Sequence, residues 1–281
     1  MAYSDLKGKT FIITGANSGQ GRATALLLAK QGANLGLLDI VKPNDVVTEA
    51  SNLKAKALAF QVDVAVYSQV EEAVRATADH FGGVDGAANL AGTIGTQGWK
   101  GTGYSLEAIE DQDWDFMLGV NLDGVKNSLK AELKYIKDNG SIVNASSIAG
   151  QMGSATNAPY AAAKWGVIGL SKSAAQQGGQ RGIRVNAVAP GFINTPLLYA
   201  IGDLDKVNQL VAQKTALKRI GQPEEVSRLL AFLLSDVSSY ITASVCMPLD
   251  RTALTEGSTT DERIDYQYRW RLSMRPENKP R

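Results

Sequence analysis

Short apolar runs of strand type alternate with helix-type segments along most of this chain. The runs are rich in Ala, Val, Leu and Ile, and most of them are followed by Gly or Asp. Segments between them, such as residues 22–31 and 68–81, contain strong helix formers or apolar residues at helical spacing. This alternation predicts an α/β fold, in which helices cover both faces of a single-domain, doubly wound parallel sheet of about seven strands. The strand-type runs cover residues 9–14, 33–38, 57–62, 84–92, 140–147, 184–191 and 240–247.

Residues 1–250 are predicted to form one domain, and residues 251–281 a tail of different character. The length of 281 residues is normal for one large α/β unit. No linker, internal repeat or low-complexity segment divides the first part. From Arg251 the chain becomes charged and polar, with Tyr266 and Trp270 among these residues. We expect this tail to be extended, partly disordered or packed on a partner subunit.

Charge and composition exclude several classes of protein. Lys and Arg number 29 against 28 Asp and Glu, which gives no sign of a nucleic-acid or anionic-membrane partner. The chain has no apolar run of about 18 residues and no signal-peptide pattern, so we expect a soluble, cytoplasmic protein. Its single Cys246 and single His80 cannot build a His/Cys metal site, so no metal is predicted. A Ser-His-Asp hydrolase would depend entirely on His80.

A glycine-rich turn joins the first predicted strand to the first helix. Backbone N–H groups in such a turn approach a pyrophosphate closely, and the helix N-terminus adds favourable partial charge. The flanking strand and helix therefore favour a Rossmann-type dinucleotide site, although a plain strand-to-helix corner also uses glycine. The candidate cofactor-binding residues of this turn are Gly15, Asn17, Ser18, Gly19, Gln20 and Gly21.

Asp39 directly follows the second predicted strand, roughly 20 residues beyond the glycine turn. A carboxylate in this position accepts hydrogen bonds from the adenosine ribose hydroxyls and repels a 2′-phosphate. No Arg or Lys lies inside the turn or directly after Asp39, and Lys42 is three residues away. We therefore predict NAD as the cofactor rather than NADP. The alternative for Asp39 is a solvated loop carboxylate.

Three further polar residues are candidate site residues: two lie at the ends of predicted strands and one lies in a predicted helix. Asp63 and Asn89 fall at the carboxyl ends of predicted strands, where ligands of parallel sheets bind. Asn121 lies in an otherwise apolar turn of a long helix predicted near residues 106–137. It must be hydrogen-bonded there, either to neighbouring backbone or within a site.

Tyr160 and Lys164 lie four residues apart on a predicted helix, so their side chains share one face. An ammonium beside a phenol favours the phenolate and lowers a pKa that is about 10 in water, which makes the pair a candidate general acid/base. The spacing alone occurs by chance in many helices. The preceding strand-type run ends in two hydroxyls, Ser146 and Ser147.

Together these residues resemble the classical short-chain dehydrogenase/reductase (SDR) family, and the resemblance covers residues 7–247. The family's Y-x-x-x-K is Tyr160 to Lys164, its helix asparagine is Asn121, and its serine lies thirteen residues before the tyrosine, at Ser147. The resemblance implies that Tyr160 exchanges a proton with the substrate oxygen and that Ser147 hydrogen-bonds that oxygen. Lys164 would bind the nicotinamide ribose and lower the pKa of Tyr160, and Asn121 would hold a water beside Lys164.

The resemblance also implies how a dinucleotide is held. The family's T-G-x-x-x-G-x-G is Thr14 to Gly21, and Gln20 replaces the aliphatic residue common there. Asp63 would bond adenine, and Asn89, from the N-N-A-G motif, would help position the adenosine side. Backbone and hydroxyl groups from Ile193 to Thr195 would hold the carboxamide. Further cofactor-binding residues implied by the resemblance are Val64, Ala91, Gly92, Tyr160, Lys164, Pro190 and Gly191.

These features predict an oxidoreductase that transfers a hydride between a nicotinamide dinucleotide and a secondary alcohol or ketone. A moderately large apolar substrate, such as a steroid, terpenoid or polyketide, is expected because apolar side chains lie near the predicted mouth. The alternative is a dinucleotide-binding protein with a non-redox or sensing role. The family commonly pairs its long helices between subunits, which implies a homo-oligomer, a dimer or tetramer. The apolar residues at the mouth are Trp99, Tyr104, Met152, Trp165 and residues 196–199.

Overall fold

Seven parallel strands form one sheet in the order β3-β2-β1-β4-β5-β6-β7. The computed structural model describes residues 3–95, 104–200 and 204–247. The predicted tail and residues 96–103 of the glycine-rich loop, with Trp99, lie outside these described residues. The strands are β1 Thr10–Thr14, β2 Asn34–Asp39, β3 Ala57–Gln61, β4 Val84–Asn89, β5 Ile136–Ala145, β6 Arg184–Val188 and β7 Val245–Cys246. The helices are α1 Gly19–Lys30, α2 Asn44–Asn52, α3 Tyr67–Phe81, α4 Asp111–Leu118, α5 Gly124–Tyr135, α6 Ala158–Gly178, α7 Pro196–Tyr199, α8 Leu204–Lys214 and α9 Pro223–Leu234.

Helices cover both faces of the sheet, and the alternation of side chains along β1 shows how. Phe11 and Ile13 point into a core shared with α1, α2 and α9, where Leu28 and Leu230 are fully buried. Ile12 points the other way, into a core shared with α3, α5 and α6. Each large aliphatic side chain buried in this way contributes about 1.5–3 kcal/mol. The predicted single-domain, doubly wound α/β fold is therefore confirmed.

The strand order reverses between β1 and β4, and this reversal places the site. The segments that follow β1 and β4 lead to opposite faces of the sheet, and this opens a crevice beyond the carboxyl ends of the two strands. Gly15 follows β1 directly and packs against the chain after β4, since a Cβ on Gly15 would lie 2.8 Å from the backbone N of Ala91. The hydroxyl of Thr14 accepts hydrogen bonds from the N–H groups of Leu90 and Ala91.

The long helix predicted over residues 106–137 was wrong in its bounds and in its regularity. α4 begins at Asp111, and α5 ends at Tyr135 because β5 begins at Ile136. Between them lies a π-helical turn, Gly119–Asp123. The side-chain Nδ2 of Asn121 donates to the carbonyl oxygen of Met117 at 2.9 Å. In a regular α-helix the Met117 carbonyl oxygen would accept from the backbone N–H four residues later. Because the Asn121 side chain occupies that oxygen, the bond favours the wider π-helical turn.

Two predicted strands also differ in length. β5 begins four residues before the predicted Gly140, with an irregular pairing in which Val84 faces Ile136 and Gly86 faces Ser141. β7 contains only Val245–Cys246, although a strand was predicted over residues 240–247. Ala243 has a positive φ of 55°, which interrupts an extended strand before Val245. Within the described ranges, no helix is both long enough and apolar enough to cross a membrane.

Candidate active site

A cleft of about 740 Å³ opens at the reversal of strand order. This volume falls in the usual range for ligand pockets, about 300–1,000 Å³. Asn17 and Asn89 do not line the cleft, whereas the other predicted site residues do. Those lining residues are Gly15, Ser18, Gly19, Gln20, Gly21, Asp39, Asp63, Val64, Ala91, Gly92, Asn121, Ser147, Tyr160, Lys164, Pro190, Gly191, Ile193 and Thr195.

The glycine turn presents the N-terminus of α1 to the cleft. Ser18 caps α1 with extended backbone and no side-chain capping hydrogen bond, so it does not cover the first N–H groups of the helix. A Cβ on Gly21 would collide with the carbonyl oxygen of Gly15, so the turn closes this tightly only with glycine at that position. Exposed N–H donors on a tight turn fit the pyrophosphate of a dinucleotide.

Asp39 connects the end of β2 to the glycine turn. Its carboxylate accepts hydrogen bonds from the backbone N–H of Asn17 at 2.9 Å and of Val41 at 3.2 Å. Asn17 therefore contributes its backbone here. Arg22, in the first turn of α1, forms an ion pair with Glu49 at 2.7 Å. The nearest cation in sequence to the glycine turn is thus engaged by a carboxylate other than Asp39.

Asp63 and Val64 form the cleft wall beyond β3. The Asp63 carboxylate accepts a hydrogen bond from the backbone N–H of Ala65 at 2.9 Å, which fixes the turn. Asn127 on α5 donates from Nδ2 to the carbonyl oxygens of Val64 and Ala65, at 2.9 and 3.1 Å. Asn127 was not predicted, because its sequence neighbours Lys126 and Ser128 are polar and do not mark a buried position.

Asn89 lies behind the cleft wall. Its Nδ2 donates to Oε2 of Glu132 at 3.0 Å and to Oδ1 of Asn144 at 2.9 Å, and its side chain is buried. These bonds tie β4 to α5 and β5. The predicted influence of Asn89 on the adenosine side therefore has to act through the Leu90–Gly92 backbone that follows it.

Ser147 and Tyr160 face each other across the cleft floor. Ser147 lies two residues after the end of β5, and its hydroxyl accepts a hydrogen bond from the N–H of Ala149 at 3.2 Å. Both Ser147 and Tyr160 line the cleft. Burial raises the pKa of Tyr160, and the nearby Ser147 hydroxyl lowers it by a smaller amount. The pKa of Tyr160 therefore moves opposite to the expected lowering by Lys164.

Lys164 is buried beside Tyr160. Its Nζ lies 5.5 Å from the centroid of the Tyr160 ring and donates to the carbonyl oxygen of Ala145 at 2.9 Å. Burial lowers the pKa of Lys164 to about 8. A buried ammonium with one carbonyl partner retains donors for ribose hydroxyls in the cleft.

Asn121 holds the chain that follows β4. Its Oδ1 accepts from the N–H of Thr93 at 3.1 Å, and its Nδ2 donates to the carbonyl oxygen of Thr93 at 2.9 Å. A Cβ on Gly92 would lie 2.9 Å from Oδ1 of Asn121 and 3.5 Å from Nζ of Lys164. Gly92 thus lets the backbone pass close to both side chains.

Asn157 positions the start of the Tyr160 helix and was not predicted. It is the N-cap of α6, where its Oδ1 accepts from the N–H of Tyr160 at 3.2 Å. Its Nδ2 donates to the carbonyl oxygen of Ile94, across the cleft wall. An Asn two residues before Pro159 is a sequence signal for a helix start.

Thr195 closes the cleft opposite the glycine turn. A Cβ on Gly19, whose φ is +50°, would lie 3.0 Å from Cγ2 of Thr195. The Thr195 hydroxyl donates to the carbonyl oxygen of Ile193 at 3.3 Å. Pro190, through its carbonyl oxygen, accepts from the N–H of Ile148 at 3.0 Å. The segment after β6 is thereby joined to both the glycine turn and the segment after Ser147.

The apolar mouth differs in part from the predicted set. Met152 and residues 196–198 line the cleft, whereas Tyr104 is buried and Trp165 is exposed on α6, and neither lines it. Tyr199 also lies outside the lining. Further apolar lining comes from Ile94, Phe116, Val120, Phe192 and Leu90.

His80, on which a Ser-His-Asp hydrolase would depend, does not line the cleft. His80 is exposed in the last turn of α3, where its ring meets that of Phe81 edge-on with centroids 4.6 Å apart. A hydrolase built on His80 has no support in this placement. Among residues 3–95, 104–200 and 204–247, no group of three or more His, Cys, Asp or Glu side chains is placed to hold a metal.

The chain is similar to several known proteins over most of its length. A family model described as enoyl-(acyl carrier protein) reductase matches residues 15–248. The short-chain dehydrogenase/reductase aba4 of Botryotinia fuckeliana is 43% identical over 254 residues, which cover 87% of this chain and 96% of that protein. The chain belongs to the classical short-chain dehydrogenase/reductase family. It is an SDR oxidoreductase of alcohols and ketones, and the family binds a nicotinamide dinucleotide.

Two further relatives are similar over most of the chain. The 3-oxoacyl-[acyl-carrier-protein] reductase FabG of Thermotoga maritima is 40% identical over 244 residues, covering 85% of this SDR and 96% of FabG. The crystal structure of levodione reductase superposes with a TM-score of 0.77 at 35% identity, covering 86% of this chain and 96% of the other. Both similarities therefore cover most of this chain and nearly all of each relative.

Proposed function

We propose that this SDR is an NAD-dependent enzyme that interconverts a secondary alcohol and a ketone of a moderately large, apolar small molecule. The observation that carries the proposal is the convergence of Ser147, Tyr160, Lys164 and Asn121 on one cleft beside a glycine turn. A protein retaining the fold for sensing alone has no physical need for these four side chains together. The nicotinamide dinucleotide supplies or accepts the hydride when bound.

Proton transfer is assigned to Tyr160. In the reductive direction its phenol gives a proton to the substrate oxygen, and in the oxidative direction the phenolate takes one. Ser147, which lines the same cleft, donates to the same substrate oxygen and fixes its position. The raised pKa of Tyr160 keeps the phenol protonated near neutral pH, ready for reduction. A positive charge retained nearby on Lys164 favours the phenolate once oxidation requires it.

Cofactor contacts are assigned to the residues around the glycine turn. Backbone N–H groups of residues 18–21 bind the pyrophosphate, and Asp39 binds the adenosine ribose hydroxyls. The Asp39 carboxylate disfavours a 2′-phosphate, and Arg22 is paired with Glu49 rather than free to bind one. Asp63 and Val64 flank adenine, and Thr195 with Ile193 holds the carboxamide. Lys164 binds the nicotinamide ribose.

The substrate class is inferred from the apolar side chains that line the same cleft as Tyr160. Met152, Phe192, Leu197 and Ile94 line the same cleft and offer no charge to a bound molecule. FabG, by its name, reduces a 3-oxoacyl group, which is a ketone. We therefore infer an apolar ketone or secondary alcohol of steroid, terpenoid or polyketide type.

Two measurements test the proposal. Fluorescence titration with NADH and NADPH should show binding with NADH preferred. A screen of hydroxylated steroids, terpenoids, polyketides and sugars, read by NADH absorbance, should give turnover with the apolar compounds and none with sugars. No binding of either dinucleotide contradicts the enzyme assignment, and turnover confined to sugars contradicts the substrate class.

A homo-oligomer is part of the proposal. Phe116 on α4 and Trp165 on α6 are exposed, at 45% and 52%. Large apolar side chains on adjacent exposed helices are suited to contact with a second copy of the chain. Light scattering coupled to size exclusion should give a mass of two or four chains, and a monomer at micromolar concentration contradicts this part.

A further inference from the structure

Two oxygen atoms of adjacent buried side chains lack hydrogen-bond partners. Glu132 on α5 is fully buried, and its Oε2 accepts from Nδ2 of Asn89 at 3.0 Å. Its other oxygen, Oε1, has no partner within the described residues, and neither has Oδ1 of Asn89. Two unpaired acceptors on two groups that are already hydrogen-bonded indicate a missing donor.

We propose that Glu132 is held as a neutral carboxylic acid, which forms a cyclic acid–amide pair with Asn89 and thereby positions the cleft wall at Leu90–Gly92. A carboxylic acid presents one donor and one acceptor on neighbouring atoms, and so does one edge of a primary amide, whose second N–H is left for Asn144. A proton on Oε1 of Glu132, donated to Oδ1 of Asn89, satisfies both unpaired atoms at once. A buried carboxylate would leave both unpaired, at a large cost in desolvation.

The Glu132–Asn89 pair is connected to the cleft along β4. Asn89 is the last residue of β4, and the next residues form the wall, fixed by the bonds from Leu90 and Ala91 to the hydroxyl of Thr14. Gly92 then passes against Asn121 and Lys164. A change in the Asn89 side chain therefore reaches the wall within three residues.

A second route runs from Asn89 to the Tyr160 helix. Asn89 donates to Asn144, and Nδ2 of Asn144 donates to the hydroxyl of Ser171 on α6 at 2.9 Å. Ser171 donates to the carbonyl oxygen of Val167 at 2.7 Å. This chain of bonds joins Glu132 to the helix that carries Tyr160 and Lys164. Glu132 is accordingly a positioning residue, which acts through Asn89.

The ionisation of Glu132 is governed by its burial. Burial raises the pKa of Glu132 to about 7, and the hydrogen bond from Asn89 lowers it by a smaller amount. Several charged side chains on α5 and on the elements packed around it have partners other than Glu132. On α5 and its neighbours these are Lys134 with Glu71, Lys126 with Asp123, Lys130 over Tyr67, Lys137 with Asp85, Arg181 with Asp138 and Lys164 with the Ala145 carbonyl oxygen.

Infrared spectroscopy tests the protonation state directly and is independent of any cofactor. The wild-type protein near pH 6 should show the carbonyl stretch of a protonated, buried carboxyl, absent from Glu132→Gln. This band should disappear as the pH is raised through about 7. The control is Glu72→Gln on α3, which alters an exposed carboxyl and should leave the band unchanged. Identical wild-type and Glu132→Gln spectra at pH 6 would show an ionised Glu132 and overturn the proposal.

Dinucleotide binding tests the positioning role and rests on the proposed function. Gln offers the same donor and acceptor as the acid, so Glu132→Gln should bind NADH as the wild type does at pH 6. At pH 8.5 the wild type should bind NADH several-fold more weakly than Glu132→Gln, because only the wild type ionises at this position. Lys164 is present in both proteins, so its direct contacts with the cofactor are common to the comparison.

The infrared and NADH-binding experiments together distinguish a failure of the Glu132 proposal from a failure of the proposed function. Equal NADH affinities of wild type and Glu132→Gln at both pH values would contradict the positioning role. If neither protein binds NADH or NADPH, the proposed function fails, while the infrared result still decides whether Glu132 is neutral. Glu132→Ala, which removes both hydrogen bonds, should bind roughly tenfold more weakly at pH 6 if it folds, equal to about 1.4 kcal/mol.

Discussion

The hydroxyl of Ser146 donates a 2.8 Å hydrogen bond to the carbonyl oxygen of Lys164. The adjacent Ser147 points the other way, toward the phenol of Tyr160. Neighbouring residues of an extended chain face opposite sides, so one hydroxyl joins the chain after β5 to α6 and the other enters the cleft. Two chemically identical side chains in sequence thus have separate tasks.

This division predicts different outcomes for two matched variants. Ser147→Ala should lower kcat by about 10²–10³, because it removes a donor to the substrate oxygen. Ser146→Ala should leave kcat within a small factor and lower the free energy of unfolding by about 1 kcal/mol, because a buried hydrogen bond is lost. Steady-state kinetics and chemical denaturation of both variants measure the contrast. Equal kinetic losses in the two variants would contradict the assignment of Ser147.

Tyr160→Phe should lower kcat by about 10²–10⁴ at neutral pH, because the proton donor is removed. NADH binding should be preserved, since the ring and its neighbours remain. Fluorescence titration and turnover of an identified alcohol check the two parts separately. Retained turnover would show that another group transfers the proton.

Asp39→Asn should shift the NADH:NADPH preference toward NADPH by roughly tenfold, or about 1.4 kcal/mol. The amide oxygen can still accept from the N–H of Asn17, so the turn should keep its shape while the negative charge is lost. The ratio of the two dissociation constants measures the effect. A wild-type preference for NADPH would overturn the interpretation of Asp39.

Gly21→Ala should abolish dinucleotide binding and lower stability by about 1–3 kcal/mol, because the added methyl group collides with the Gly15 carbonyl oxygen. Gly153→Ala is a matched control, since Gly153 also lines the cleft and a Cβ there meets no atom within 4 Å. NADH titration and thermal unfolding of both variants test the tightness of the turn. Normal binding by Gly21→Ala would show that the turn is looser than described.

Stability should depend on pH through Glu132. Its pKa is about 7 in the folded protein and near 4.5 in the unfolded chain, so the folded state retains the proton between these values. The free energy of unfolding of the wild type, relative to Glu132→Gln, should therefore be highest below about pH 4.5 and fall until about pH 7, by about 1.4 kcal/mol per unit. Thermal unfolding across this range measures the difference, with Glu72→Gln as the flat control.

The fold was predictable because local and long-range patterns agree. Each inner strand is apolar on both faces, as in β1, and the turns use Gly or Asp where the chain reverses. The cleft was predictable for the same reason, since residues following parallel strands meet at one edge. Asp39 ends β2, Asp63 follows β3 and Ser147 follows β5.

Features that depend on contacts between distant elements were not predictable. The π-helical turn at Asn121 depends on hydrogen bonds from its side chain to both Met117 and Thr93. These partners are known only from the folded structure. The burial of Glu132 was partly predictable, because this residue lies seven positions after Val125 and so on the same buried face of α5. Its partner on β4 is 43 residues away and does not follow from sequence.

The π-helical turn at Gly119–Asp123 sets how α4 is rotated relative to α5. Each residue advances a helix by about 100°, so the residue that widens this turn decides which side of α4 faces the cleft. Deleting one residue from the turn would restore a regular helix and rotate Phe116 away from the cleft while leaving Glu132 in place. Pocket shape in this enzyme thus depends on the number of residues in one turn as well as on side-chain identity.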